Sequence, residues 1–215
     1  MPFFQLNEND LSFPPAHFAD EQGMIAVGGD LSVKRVLAAY RQGIFFWFGP
    51  MDFIKWWSPD PRVLVYPTEV PPPAPEQMED IEVTFDHDLE GLLCAIQEKE
   101  NQPPMGENWL TEEMINLYRE LHQRGILHSL ELKRDGAWIG GICGMAIGKA
   151  FFAEYTYAAT EDGGTLALRV LARQLADQGY TLIDLQKETN QVNDIDLQEL
   201  SRMAYLDLVR EACQP

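Results

Sequence analysis

The chain has 215 residues, 46% of them hydrophobic and 11% aromatic, which suits one large domain or two small ones with a sizeable core and excludes general disorder. Sixteen Lys and Arg against 34 Asp and Glu give a net charge of −18, which repels polyanions at long range and favours basic partners. No window holds the ~18 apolar residues of a membrane span, the first residues lack a signal-peptide pattern, and Cys94, Cys143 and Cys213 make no disulfide framework or metal-spaced pair, so a reducing cytoplasmic setting is expected.

The first third is rich in aromatic residues and Gly. An apolar run over residues 24–29 closes on Gly28-Gly29. Asp30 or Ser32 can cap the helix predicted for residues 33–42, which carries Val36, Leu37 and Tyr40 on one face and stops at Gly43. The aromatic blocks Ile44 through Phe48 and Trp56-Trp57-Ser58-Pro59-Asp60-Pro61-Arg62 follow. A strand is predicted at residues 63–66, then an exposed proline-rich connection at 67–79. Residues 81–85 alternate as a strand and 89–99 read as a helix. Thr111 caps a helix at 112–124, with Gly125 as its stop. Three strand-like stretches come next, at 128–133, 137–147 and 149–157, joined at Arg134-Asp135-Gly136 and at Gly148. Residues 165–179 form a strongly patterned helix, 180–185 a short strand, and 205–209 a further strand. This order describes an α+β fold with a mixed sheet.

Several residues invite a functional reading. Asp184 and Gln186 stand at i and i+2 of a predicted strand and share one face, flanked by apolar Leu182, Ile183 and Leu185. Glu154 sits among Phe151, Phe152, Ala153 and Tyr155, where a carboxylate could hold a cation. His17, His87, His122 and His128 have no metal-like spacing, and no Cys-His or Ser-His-Asp pattern stands out.

From about Phe13 to Tyr205 the chain resembles the leucyl/phenylalanyl-tRNA–protein transferases. The resemblance rests on Gly28-Gly29-Asp30-Leu31-Ser32, Ala39-Tyr40, Gly43-Ile44-Phe45 with Trp47-Phe48, and the specific string Trp56 through Arg62. It continues through Leu121-His122, His128-Ser129 with Glu131, Gly140-Gly141, Glu154, and Leu182-Ile183-Asp184 with Gln186. It implies a small N-terminal α/β domain, residues 1–66, on a GNAT-like (acyl-CoA N-acyltransferase-like) mixed-sheet domain, residues 67–215. It implies an aminoacyltransferase that moves Leu, Phe or Met from aminoacyl-tRNA to the N-terminal Arg or Lys of a protein, marking that protein for degradation. No acetyl-CoA, other cofactor or metal is implied, and a monomer is expected.

On the resemblance, Asp184 and Gln186 are the catalytic pair, Asp184 orienting the Gln186 that contacts the attacking amine. Glu154 would hold the acceptor, and Trp47 and Trp109 the terminal adenosine. Thr156 and Tyr157 fall where the family has Met-Phe, so they are expected to line the substrate pocket and make it more polar. Trp56 and Trp57 are expected to pack between the domains, and Arg62 to serve as an ion-pair partner. The chain also departs from the family. Residues 71–77 are proline-rich where the family is basic, Phe46 replaces a Pro, and Asp194 and Asp196 add acid after the catalytic pair.

Two alternatives stay open on the residues. One is a GNAT-like transferase with a different donor, whose phosphate would sit at the helix opening in Asp162-Gly163-Gly164-Thr165. The other is a non-catalytic acidic module that binds basic N-termini. Convergence of Arg35, Arg41, Lys55, Arg62, Arg119, Arg124 and Lys133 into one basic face would favour tRNA contact.

Overall fold

The computed structural model describes residues 4–100, 110–187 and 191–214. A four-stranded sheet opens the chain in the order β1-β2-β4-β3, from β1 (Phe4–Leu6), β2 (Met24–Gly28), β3 (Phe45–Phe46) and β4 (Lys55–Trp57). Helix α1 (Val33–Tyr40) lies between β2 and β3 and is capped by Ser32, whose hydroxyl accepts the Arg35 N–H. Gly43 follows the helix at φ +71, where a Cβ would lie 2.6 Å from Leu206 Cδ2 and 2.9 Å from the Tyr205 ring, so a larger residue would be strained and would displace those side chains.

The second sheet has seven strands in the order β11-β5-β10-β9-β8-β7-β6. Its members are β5 (Arg62–Val65), β6 (Ile81–Phe85), β7 (Leu127–Arg134), β8 (Ala137–Ile147), β9 (Ala150–Ala158), β10 (Leu182–Gln186) and β11 (Gln198–Leu200). The helices are α2 (Leu89–Glu100), α3 (Glu112–Gln123), α4 (Gly163–Asp177) and α5 (Arg202–Ala212). Strand β10 runs parallel to β9 and antiparallel to β5, so the sheet is mixed and the class is α+β. Strand β5 pairs within this large sheet, and the last strand of the small sheet ends at Trp57.

Each face of the large sheet is covered. On one, Leu166, Leu168, Leu171 and Leu175 of α4 pack on Val63, Val65, Leu130, Ile142 and Ile183. The approach is close enough that a Cβ on Gly140 would sit 2.2 Å from the Gly163 carbonyl oxygen. The other face meets α2, α3 and the small sheet in one continuous core that joins Leu92, Met114 and Leu121 to Tyr40, Phe46, Trp56 and Phe152. Trp56 and Trp57 are buried there, and the Trp56 indole donates to Gly28 O at 3.0 Å.

The strand expected at residues 205–209 is instead part of α5. Ser201 caps it, and Tyr205, Val209 and Ala212 form the buried stripe. That spacing of four and three is the helical period, and it outweighs the β-branched and aromatic content of so short a run.

Candidate active site

Two β-bulges build the site. Strand β9 pairs Tyr155 with Cys143 and Ala153 with Gly144, so Glu154 is the extra residue. The bulge turns Glu154 and Tyr155 to the same face, the one covered by α1 and α3. Strand β10 skips Leu185 against β5 and leaves Gln186 at φ +65, a conformation that costs a non-glycine residue ~1–2 kcal/mol. The parallel pairing matches Asp184 to Phe152, and the same offset carried two residues on sets Gln186 beside Glu154.

Beneath the surface lies an ion pair. Asp184 and Arg62 are both fully buried, joined by Nε to Oδ1 at 2.8 Å and Nη2 to Oδ2 at 2.5 Å. Tyr205 of α5 donates its hydroxyl to the same Oδ2 at 2.6 Å. The Arg62 guanidinium is stacked between Phe45 and Tyr205, 4.7 Å and 4.5 Å from the ring centres; burial weakens its hold on the proton, and the Asp184 charge and hydrogen bond together with the neighbouring tyrosines outweigh it. Asp184 Oδ1 also accepts the backbone N–H of Gln186 at 2.8 Å, which holds the strained residue in place. Removing Asp184 would leave a buried unpaired guanidinium, at a cost of ~3–5 kcal/mol, so its loss tests folding as much as chemistry.

Above that pair, Glu154 Oε1 accepts the Tyr40 hydroxyl at 2.8 Å and the Gln186 side-chain amide at 3.1 Å, while Oε2 accepts the Tyr118 hydroxyl at 3.1 Å. Burial pushes the Glu154 carboxyl up to about 7; the two tyrosine hydrogen bonds pull the other way. Burial and the neighbouring carboxylate push both tyrosine hydroxyls well above their ordinary range, so they stay protonated donors.

Glu154 and Gln186 open into a cavity of about 190 Å³ whose walls include Phe45, Phe46, Trp47, Met114, Tyr118, Leu185 and Lys187. Trp47 stands at its rim, 43% exposed, with its carbonyl fixed by the Trp57 indole N–H at 2.7 Å. Trp109 lies outside the described residues.

Thr156 and Tyr157 are not brought to this cavity. The Glu154 bulge resets the alternation of β9, so the Thr156 methyl packs against Gly164 at the start of α4. Tyr157 instead meets the Trp138 ring edge-on at 6.1 Å and carries Lys99 over its face. The walls they were expected to supply come from Phe46, Met114 and Leu185. Tyr40 and Tyr118 were missed as site residues, because each sits on the apolar face of an amphipathic helix and looks like core.

Among the described residues, six of the seven basic residues considered for tRNA contact, all but Arg41, have an ion pair with an acid. Arg35 pairs with Asp30, Lys55 with Asp52, Arg119 with Glu90 and Glu112, Arg124 with Glu120 and Lys133 with Asp88, while Arg62 is buried. The glycines that open α4 are pressed against neighbouring backbone. A Cβ on Gly163 or Gly164 would meet the carbonyl oxygens of Ile139 and Gln191 at 2.0 Å, so the two glycines are required by close packing. His122 and His128 engage Leu127 O and Asp86. Among the described residues there is no cluster of His, Cys, Asp and Glu that could hold a metal, and no helix long and apolar enough to cross a membrane.

Residues 75–210 match the family model of leucyl/phenylalanyl-tRNA protein transferase, and residues 29–60 match the model of that family's N-terminal domain. A protein named leucyl/phenylalanyl-tRNA–protein transferase from Nitrosomonas europaea is 39% identical over 205 residues, which is 92% of this chain and 85% of the relative. One of the same name from Pseudomonas fluorescens is 35% identical over 217 residues, 98% of this chain and 95% of the relative. Among solved structures, a GCN5-related N-acetyltransferase from Sphaerobacter thermophilus is similar at a TM-score of 0.45 and 15% identity, covering 86% of this chain and 60% of the other.

Proposed function

The chain belongs to the leucyl/phenylalanyl-tRNA–protein transferase family, and on that premise we propose that it moves an aminoacyl group from tRNA to the N-terminus of a protein. In this reading the group is Leu, Phe or Met, the acceptor begins with Arg or Lys, and the modified protein is marked for degradation. The enzyme acts as a monomer in the cytoplasm. The observation that carries the reading is the meeting of Glu154 and Gln186 in one cavity beside the partly exposed Trp47.

Each part has a chemical task. The apolar walls Phe46, Met114 and Leu185 suit an aliphatic or aromatic aminoacyl side chain. Trp47 offers a stacking surface for the terminal adenosine. Glu154 receives the cationic end of the acceptor, in keeping with the acidic charge of the chain. Because the Gln186 amide donates to Glu154, its carbonyl oxygen is left to accept an N–H of the attacking amine. The amine nitrogen bonds to the ester carbonyl carbon, the bond to the ribose oxygen breaks, and that oxygen takes up a proton. A carboxyl near 7 is suited to hold the proton the amine gives up. Asp184 touches none of the reacting atoms in this scheme; it positions Gln186 through the backbone N–H.

The test is transfer of labelled Leu or Phe from its tRNA to an Arg-initiated peptide. Wild type should transfer, and Gln186→Ala should lose turnover with its melting temperature unchanged. Absence of transfer by wild type, or full activity of the variant, would overturn the reading.

A further inference from the structure

We infer that Lys187 is the anion contact at the donor end of the cavity, taking the phosphate that joins the terminal nucleoside of the aminoacyl-tRNA to the rest of its strand. The inference rests on the aminoacyl-tRNA reading above and adds to it a residue that neither the motifs nor the apolar pattern of β10 singles out.

Lys187 follows Gln186 directly. The left-handed conformation at Gln186 ends the strand, and Lys187 is the first residue beyond it. The Lys187 ammonium lies over the Trp57 ring at 5.0 Å and the Trp47 ring at 5.7 Å, and its side chain lines the same cavity as Glu154. Among the described residues no carboxylate forms an ion pair with it. That sets it apart from Lys55, Arg62, Arg119, Arg124 and Lys133, each held by an acid. The cavity therefore carries a carboxylate in its floor and an ammonium at its rim. The two charges match the two substrates, a cationic acceptor inside and an anionic donor entering past Trp47.

The chain's net charge of −18 makes a local cation matter more, because the net long-range field opposes a polyanion. The ammonium is kept near the rim by contact with aromatic faces, which is weak at an exposed site and easily exchanged. A base that stacks on Trp47 displaces it from the ring. The flexible four-carbon stem then lets it reach a phosphate one sugar away, as a compact point charge.

The experiment uses a non-hydrolysable phenylalanylamino-adenosine, with and without a 5′-phosphate, and calorimetric titration of the full chain at low salt. Wild type should bind the phosphorylated probe about tenfold more tightly, the value of one charge-assisted contact. Lys187→Met should erase that gain, and Lys187→Arg should retain it. Persistence of the gain in Lys187→Met, or equal weakening of both probes, would overturn the inference. Wild type that binds the phosphate-free probe but shows no gain would overturn it too and leave the donor reading standing. Failure of wild type to bind either probe would remove the donor reading itself, and the inference with it.

Discussion

Replacing Glu154 by Gln isolates the energetic consequence of a carboxyl buried among two tyrosines. In the folded chain this carboxyl titrates near 7, against an ordinary value of 4.5. Between those values the folded state holds a proton that the unfolded state has released. Stability therefore falls as pH rises through this window and levels off above it. At 1.36 kcal/mol per unit, wild type should lose about 2 kcal/mol between pH 5.5 and pH 8 from this group alone. The Glu154→Gln variant keeps an acceptor for one tyrosine and a donor toward the other, and it has no proton to lose. Urea unfolding followed by tryptophan fluorescence at the two pH values measures the gap between the proteins. It should shift by about 2 kcal/mol in favour of the variant at pH 8, while the variant's KM for an Arg-initiated acceptor rises. A gap that stays constant to within about 0.5 kcal/mol would refute the assignment of a raised pKa to Glu154.

Tyr118→Phe removes the donor to Glu154 Oε2, so the carboxyl should titrate higher still; the acid limb of the pH profile of kcat/KM should move up by about half a unit or more, and an unmoved limb would count against Glu154 as the titrating group. Trp47→Ala should weaken binding of the phenylalanylamino-adenosine by about 1–3 kcal/mol with little change in melting temperature, since the ring is exposed; unchanged affinity would remove Trp47 from the donor site. Gly140→Ala places a Cβ 2.2 Å from the Gly163 carbonyl oxygen and should destabilise the chain by about 1–3 kcal/mol; a neutral urea midpoint would mean that α4 shifts freely on β8.

The local code of this chain is strong. Ser32 and Thr111 mark the starts of α1 and α3 because a side-chain oxygen can meet the orphaned N–H groups of a first turn. Gly43 and Gly125 mark stops because each takes a positive φ. Apolar period and turn residues were enough to order the strands and helices from β6 to β10. The oddness of Asp184, Gln186 and Glu154, polar groups set in apolar strands, is also visible without coordinates. The α5 segment was misread because its few aromatic and branched residues suggested a strand, while its helical spacing emerges over the longer stretch from Ser201.

What no local pattern contains is the assembly of the site. Arg62 finds Asp184 across 122 positions, and Tyr40 finds Glu154 across 114. These partners are chosen by how two sheets and three helices pack, and a tyrosine on an apolar helix face gives no sign of the carboxylate it will meet. The bulges are decided in the same way. Pairing between β8 and β9 slips by one residue where the sheet bends against the helices, and that slip turns Glu154 and Tyr155 onto one face and sends Thr156 to the other. Strict alternation would have kept Thr156 on the face of Glu154 and put Tyr157 on the other. Local sequence thus determined which segments are strands and helices, because caps, turns and hydrophobic period act within a few residues. Tertiary packing determined which polar groups face one another, because register and burial are properties of the whole sheet.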